Sequence, residues 1–227
     1  MNPEERSSIP AAVAIAPHLD DVALGCAGFA AAHAGTLVVT VMAGKPGHHS
    51  LTSWDRQCGF HLDDDVVGVR RKEDEMALAH LKATPQWLDF LDHQYLDHQY
   101  GTEPDQRDVE RAIEDLVLDA SVIAVPLGLH HEDHLIVAAA CRGVARGLPR
   151  KTWVVYEDVI YRATVGGTDE RVAELRKQGF DLVPASFAPA AHKRAAVEAY
   201  ASQVKGLGDL LLDAFEPERY WTMKVRA

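Results

Sequence analysis

The sequence predicts an α/β fold in which a mostly parallel sheet carries helices on both faces. Apolar, strand-like runs alternate with segments whose apolar residues recur at helical spacing, a pattern typical of parallel sheets. The 227 residues are enough for one well-filled domain, and no low-complexity linker divides them. We therefore expect a single domain over residues 1–227.

Short apolar runs predict five strands in the first two thirds of the chain. The second of them, TLVVTVM, lies between Gly35 and Gly44, which mark turns. The five predicted strands cover residues 11–16, 36–42, 86–91, 121–126 and 152–157.

Helices are expected between these strands. The first is built from small residues, the second has apolar residues on one side and charge on the other, and the fourth is alanine-rich. They cover about 23–34, 66–81, 107–118 and 135–146. Beyond residue 161 the pattern is less regular and predicts a helix over 169–177, a strand over 181–187 and a helix over 190–205.

The composition excludes several classes of function. The chain has 34 acidic and 23 basic residues, a formal net charge of -11, which disfavours nonspecific attraction to nucleic acid or to anionic membranes. The first ten residues carry no apolar signal core, and no run approaches the ~18 apolar residues of a membrane span. We expect a cytoplasmic protein that binds neither nucleic acid nor membrane.

Three further features predict structure rather than chemistry. Cys26, Cys58 and Cys141 form no CxxC pair, so we expect small apolar packing residues and not a disulfide scaffold or a thiolate zinc site. Residues 44–65 contain histidines and an acidic triplet without strict ligand spacing, which predicts a mobile surface loop. The tandem repeat LDHQYLDHQY over 91–100 is too short for a solenoid and predicts a lengthened loop.

Two polar clusters follow predicted strands and precede predicted helices. PHLDD occupies 17–21 after the first strand, and LHHEDH occupies 129–134 after the fourth. In open parallel sheets, sites form at the carboxyl ends of strands, so the clusters are the candidate site. The segment GCAG that follows the first cluster is not GxGxxG, and the chain has no P-loop, which disfavours a dinucleotide cofactor.

Histidine and aspartate in this pattern favour a catalytic divalent metal, most often zinc with one position open for water. His18 and Asp21 can bind from one turn, and His134 can complete the set from the second cluster. Asp20 would then take a proton from the water. His131 can stabilise an oxyanion or protonate a leaving amine, with Asp133 nearby to orient an imidazole.

Other interpretations of the clusters remain open. Asp20 or Asp21 can simply cap the following helix. His18, Asp20 and a distant histidine match the two-histidine, one-carboxylate triad of iron oxygenases, although those sites normally occupy a β jelly roll. An HExxH zinc motif is excluded because Leu135 stands where its second histidine would be.

APHLDD and HHEDH together resemble the signatures of the PIG-L (LmbE-like) deacetylases, approximately A/S-H-P-D-D-E/V and H-x-D-H. The resemblance extends along nearly the whole chain. RRKEDEMALAHL over 70–81, WLDFLD over 87–92 and HKRAAVEAYASQ over 192–203 resemble the family's arginine–glutamate helix, its third strand and its late helix. Leu19 stands where the family has proline, and Val22 where glutamate is frequent, which leaves the subfamily and its substrate open.

The resemblance implies a Rossmann-like fold and zinc-dependent hydrolysis of an N-acetyl group, usually on an amino sugar or its glycoside. It implies one zinc ion per chain, with the following residue roles carried over. His18, Asp21 and His134 would hold zinc, Asp20 would be the general base, His131 would stabilise the tetrahedral intermediate with support from Asp133, and Arg70 or Arg71 together with Asp92 would contact the substrate.

Two alternatives to an amino-sugar deacetylase remain open. One is a zinc amidase that acts on another N-acyl compound, and the other is a non-catalytic relative that uses the crevice for ligand binding. The intact set of candidate ligands and base disfavours the second alternative, since a relic would be free to lose the base. The expected partner is a small N-acetylated molecule, and a homo-oligomer is compatible with the apolar helices.

Overall fold

A seven-stranded sheet runs through the computed structural model, which describes residues 11–47, 51–96, 103–162 and 167–226. The strands are β1 (Ala12–Ala16), β2 (Leu37–Thr40), β3 (Thr84–Trp87), β4 (Val122–Pro126), β5 (Thr152–Tyr156), β6 (Phe180–Ala185) and β7 (Tyr220–Val225). Their order in the sheet is β3-β2-β1-β4-β5-β7-β6. The first five strands are parallel, and β7 pairs antiparallel with both β5 and β6.

Nine α-helices connect and cover the strands over the described ranges. They are α1 (Asp21–Gly25), α2 (Ala27–Ala32), α3 (Ser53–Cys58), α4 (Val66–His80), α5 (Gln106–Val117), α6 (Glu132–Gly147), α7 (Gly167–Lys177), α8 (Lys193–Ala199) and α9 (Ala201–Leu207). Two 3₁₀ helices, His93–Tyr95 and Gly208–Phe215, complete the elements near the site. No helix among these residues is long and apolar enough to cross a membrane.

Two apolar layers lie on opposite faces of the sheet. Ala14 of β1 packs into one layer with α2, α4 and α8, whereas Val13 and Ile15 pack into the other with α5, α6 and α7. This alternation follows from the two-residue period of a strand, and burial on both faces is typical of parallel sheets. The predicted fold class is therefore confirmed, with helices on both faces.

Several element boundaries differ from the prediction. The single helix expected over 23–34 is broken at Cys26, and the helix expected over 190–205 is broken at Tyr200, whose backbone leaves the helical region. β3 begins and ends earlier than the predicted 86–91. It includes Pro85, which is tolerated because β3 lies at the edge of the sheet. β7 and its antiparallel pairing were not predicted from the sequence.

The region expected to be a mobile loop over 44–65 contains α3, so that expectation is wrong in part. Thr52 and Asp55 form a capping box: the Asp55 N–H donates to Thr52 Oγ1 at 3.0 Å, and the Thr52 N–H donates to Asp55 Oδ2 at 3.0 Å. His48 and His49 lie outside the described residues. The same holds for most of the second copy of the tandem repeat, since 97–102 are not described, whereas the first copy forms the turn that carries Asp92.

Candidate metal centre and active-site cavity

The parallel sheet brings the two motif loops together. β1 and β4 are neighbours in the same direction, so the segments that follow them leave the same edge. The ring of His18 lies 5.1 Å from that of His131 and 5.2 Å from that of His134, measured between centroids. The two clusters therefore face each other, which is the condition for His134 to join His18 and Asp21 in one site.

His18, Asp21 and His134 form a compact group of metal-ligand types, all buried. Asp21 Oδ2 lies 3.7 Å from His18 Nδ1 and 3.4 Å from His134 Nε2. Two ligands at zinc bond lengths in tetrahedral geometry lie about 3.4 Å apart. His134 Nε2 is buried without a hydrogen-bond partner among the described residues. Since an unpartnered buried nitrogen is costly, its position within 4.8 Å of ligand atoms of His18 and Asp21 fits a bound metal ion.

Each candidate imidazole ligand has a carboxylate on its other ring nitrogen. Asp158 Oδ1 lies 2.5 Å from His134 Nδ1, and its Oδ2 accepts the Gly128 N–H at 2.8 Å. Asp133 Oδ2 lies 2.9 Å from His18 Nε2. Such carboxylates fix the tautomer and orientation of a metal-binding histidine. Sequence reasoning missed Asp158, although a carboxylate directly after the fifth predicted strand was the available signal.

A second possible ligand group consists of His18, His131 and Asp133. In this group the Asp133 carboxylate is already engaged, because Oδ2 also accepts the His93 N–H at 3.0 Å. A metal there would displace the His18–Asp133 hydrogen bond, whereas the first group keeps it. The first group is therefore the better metal site.

Negative charge concentrates around His18. Burial lowers the pKa of the His18 imidazole, but the carboxylates of Asp92, Asp133 and Asp21 outweigh it and raise the pKa to about 10. Burial and Asp21 raise the pKa of Asp20, against the opposing effect of Arg70. The excess of carboxylates over fixed cations is the environment that a divalent cation would neutralise.

The helix-cap interpretation does not account for the two aspartates. Asp20 is the N-cap residue of α1, but its side chain makes no capping hydrogen bond. Asp21 Oδ2 accepts the His18 N–H at 2.7 Å, which holds the turn of the first motif closed. Asp20 is 8% exposed and borders the cavity, so its carboxylate is available to a bound molecule.

His131 is the N-cap of α6, and its ring is held in one orientation. The Asp133 N–H donates to His131 Nδ1 at 3.2 Å, so a neutral ring carries its proton on Nε2. Burial, together with the positive charge of His18, lowers the pKa of His131 to about 4. The Asp133 carboxylate lies 3.9 Å from His131 Nδ1 and is closer to His18, which differs from the expected pairing of Asp133 with His131.

The structure separates the two arginines offered as substrate contacts. Arg70 is buried beside the cavity, with Nη1 3.6 Å from Asp92 Oδ2. Arg71 instead donates to the Ala43 carbonyl at 2.7 Å and pairs with Asp89 at the surface. Arg70 and Asp92 are thus brought to the site, and Arg71 is not.

The site opens into a cavity of about 340 Å³ with two distinct walls. The motif wall consists of His18, Asp20, Asp21 and His131, and the buried His134 lies behind it. The helical wall consists of Trp54 from α3, Gln203 and Leu207 from α9, and Leu210 from the second 3₁₀ helix.

Comparison with known proteins assigns more than half of the chain to a known family. Residues 13–145, more than half of the chain, match the model of the family PIG-L, described as GlcNAc-PI de-N-acetylase. A 2'-N-acetylparomamine deacetylase of Streptomyces fradiae is 29% identical over 190 residues. That alignment covers 75% of this chain, and it spans 63% of the length of the Streptomyces protein.

Solved structures of deacetylases share the fold along nearly the whole chain. The zinc-inhibited form of teicoplanin deacetylase superposes with a TM-score of 0.79 at 25% identity, covering 95% of this chain and 98% of that one. The N,N'-diacetylchitobiose deacetylase of Pyrococcus horikoshii superposes with a TM-score of 0.57 at 13% identity, covering 98% and 87%, and this likeness concerns the fold alone.

Proposed function

Because the chain belongs to the PIG-L family of GlcNAc-PI de-N-acetylases, we propose that it is a zinc-dependent hydrolase that removes an N-acetyl group from an amino sugar or its glycoside. The observation that carries the proposal is the convergence of His18, Asp21 and the buried His134 at the wall of a cavity that Asp20 and His131 also border. This arrangement supplies three ligands, a base and a hydrogen-bond donor, which together suffice for hydrolysis of an amide.

Zinc would be held by His18 Nδ1, Asp21 and His134 Nε2, and when bound it supplies Lewis acidity and an acidified water. Asp20 takes a proton from the attacking water onto its carboxylate and later passes that proton to the amide nitrogen. This assignment gives the leaving-group proton to Asp20 and not to His131, since the Asp133 N–H donates to His131 Nδ1 and a ring that accepts this hydrogen bond is neutral.

Neutral His131 donates its Nε2–H to the carbonyl oxygen as negative charge develops there. The hydrogen bond from the Asp133 N–H to Nδ1 fixes this tautomer, so the donor needs no reorganisation during the reaction. Asp133 and Asp158 act on the ligand histidines through hydrogen bonds and orient them. Arg70 and Asp92 bind hydroxyl groups of the substrate beside the reacting amide.

The proposal is tested by measuring acetate release together with metal content. Protein purified without histidine tags is dialysed against trace zinc, and metal per chain is determined by elemental analysis. Acetate release is then followed on N-acetylglucosamine, on 2'-N-acetylparomamine and on an N-acetyl amino acid. We expect about one zinc per chain and release from the sugars in preference to the amino acid.

The outcomes separate the alternatives. Release from the amino acid in preference to both sugars would favour a different N-acyl substrate. Full zinc occupancy without release from any compound would favour a ligand-binding relative. Iron in place of zinc, with oxygen-dependent turnover, would overturn the hydrolase assignment.

A further inference from the structure

The short helix α3 is fastened to the rest of the molecule on two sides. On one side Thr52 Oγ1 donates to Gln94 Oε1 at 2.6 Å, and the Tyr95 hydroxyl donates to Asp55 Oδ1 at 3.1 Å. On the other side Gln57 Nε2 donates to the carbonyl of Gly206 in α9 at 2.7 Å. A helix of one and a half turns cannot hold itself in place, so these contacts fix its position.

Trp54 of α3 has a fixed ring orientation in the helical wall. Its indole Nε1 donates to Gln203 Oε1 at 3.2 Å. Gly206 permits the close approach, because a Cβ atom there would lie 3.1 Å from the indole Cζ2 and 2.5 Å from Cys58 Sγ. With its one polar group satisfied, Trp54 presents apolar ring surface to the cavity that Asp20 and His131 also border.

The cavity is amphipathic in composition. Arg70, Asp92 and Gln94 offer charged and amide groups, whereas Trp54, Leu207 and Leu210 offer apolar surface. A pyranose ring has the same division, with hydroxyl groups around its edge and C–H groups on its faces. The volume of about 340 Å³ is at the small end of the range for ligand sites, which suits one sugar residue at a time.

We propose that Trp54 is a specificity-determining residue: its indole packs against the C–H face of the sugar ring that carries the N-acetyl group, and Gln203 positions it there. This inference rests on the proposed deacetylase function and adds the group that distinguishes a cyclic substrate from an open-chain amide. The polar edge of the same ring then faces Arg70 and Asp92. An acyclic N-acetyl amine cannot use the indole surface, so the wall selects for pyranosides.

The experiment compares steady-state kinetics of Trp54→Ala and Trp54→Phe on N-acetylglucosamine and on N-acetylethanolamine, an open-chain amide. We expect Trp54→Ala to raise KM for the sugar about tenfold with kcat nearly unchanged, and to leave the open-chain compound unaffected. Trp54→Phe retains a ring and should recover most of the sugar affinity. Trp221→Phe is the control, since Trp221 of β7 lies outside the cavity lining and packs in the apolar layer on the other side of the sheet from α8.

A binding measurement keeps the inference independent of turnover. N-acetylglucosamine is titrated into wild type and Trp54→Phe with tryptophan fluorescence as the readout, and we expect the sugar-dependent change to disappear in the variant and to persist in Trp221→Phe. An active wild type whose sugar KM is unaltered by Trp54→Ala would overturn the role of Trp54 alone. A wild type that binds N-acetylglucosamine through Trp54 without hydrolysing any sugar would overturn the proposed function alone. A wild type that neither binds nor hydrolyses sugars would overturn both the role of Trp54 and the proposed function.

Discussion

The motif wall and the helical wall of the cavity are built from different kinds of element. The motif wall comes from two loops at the carboxyl ends of neighbouring parallel strands, and its chemical groups lie within 17–21 and 129–134. The helical wall takes Trp54 from α3, and Gln203, Leu207 and Leu210 from α9 and the 3₁₀ helix that follows it, and no chemical motif marks either segment. Chemistry needs scarce residue types at fixed spacing, whereas a binding surface needs shape and apolar area. The residues of the motif wall therefore form a recognisable sequence motif, whereas those of the helical wall resemble ordinary core residues.

The sharpest test of the motif wall is Asp20→Asn. The amide cannot accept the proton of the attacking water, so we expect kcat to fall by about 10²–10⁴-fold while zinc content stays at the wild-type value. Acetate release and elemental analysis on the same preparation measure both quantities. Asp119→Asn is the control, because Asp119 is exposed and lies in the turn before β4, at the other end of that strand from the site. Near wild-type turnover in Asp20→Asn would remove the residue from the role of base.

His134→Ala tests the ligand set behind the same wall. Loss of one of three protein ligands should weaken zinc binding by more than the 10–100-fold that follows removal of an orienting partner. Competition with a chromophoric chelator gives the dissociation constant directly. A variant that retains full zinc affinity would exclude His134 from the site and leave the group of His18, His131 and Asp133 in its place.

Asp158→Asn is expected to have a smaller effect of the same kind. The asparagine side chain has nearly the same volume and keeps one acceptor oxygen, but it no longer provides a negative charge beside His134 Nδ1. We expect zinc affinity to fall by about 10–100-fold and kcat to recover when zinc is saturating. Chelator competition and turnover at graded zinc concentrations separate affinity from catalysis. Unchanged affinity would reduce Asp158 to a packing role around Gly128.

The sequence predicted the elements whose periodicity is strong and the site residues that stand in motifs. It did not predict α3, although Thr52 and Asp55 have the spacing of a capping box, because the surrounding residues have no helical periodicity. The break at Tyr200 was also missed, and the residue at the break makes a long-range contact: its hydroxyl donates to Asp74 Oδ1 at 2.6 Å. The capping box is visible in the spacing of its two residues, whereas the contact of Tyr200 with Asp74 can be found only in the folded structure.

Asp158 illustrates the same limit within the site. A single aspartate after a strand can serve many roles, and the role of Asp158 follows only from its hydrogen bond to His134 in the folded structure. The choice between Arg70 and Arg71 was likewise open, because adjacent helical residues differ by about 100° in direction and the sequence does not say which faces the cavity. The two-residue period of strands and the helical period predict which face of an element is buried. Contacts between distant elements depend instead on how those elements pack together.

The helical wall depends on two buried carboxylates of α4. Glu73 Oε1 accepts the Ser202 N–H at 2.8 Å, and Asp74 accepts the hydroxyl of Tyr200. Asp74 also accepts the indole N–H of Trp87 at 2.7 Å. These contacts fasten α8 and α9, and hence Gln203 and Leu207, to the helix that carries Arg70. None of the residues that make these contacts lines the cavity, so loss of the attachment should alter stability more than chemistry.

Asp74 makes this attachment sensitive to pH. Burial raises its pKa from 3.8 to about 7 against the hydrogen bonds from Tyr200 and Trp87, so the folded chain keeps the proton to higher pH than the unfolded chain does. The free energy of unfolding should therefore fall as the pH rises from about 4 to about 7. Asp74 contributes at most about 1.4 kcal/mol per pH unit to this fall. Asp74→Asn should remove that part of the slope in urea unfolding, and Asp119→Asn should retain it. An unchanged slope in Asp74→Asn would show that the Asp74 carboxyl titrates alike in both states.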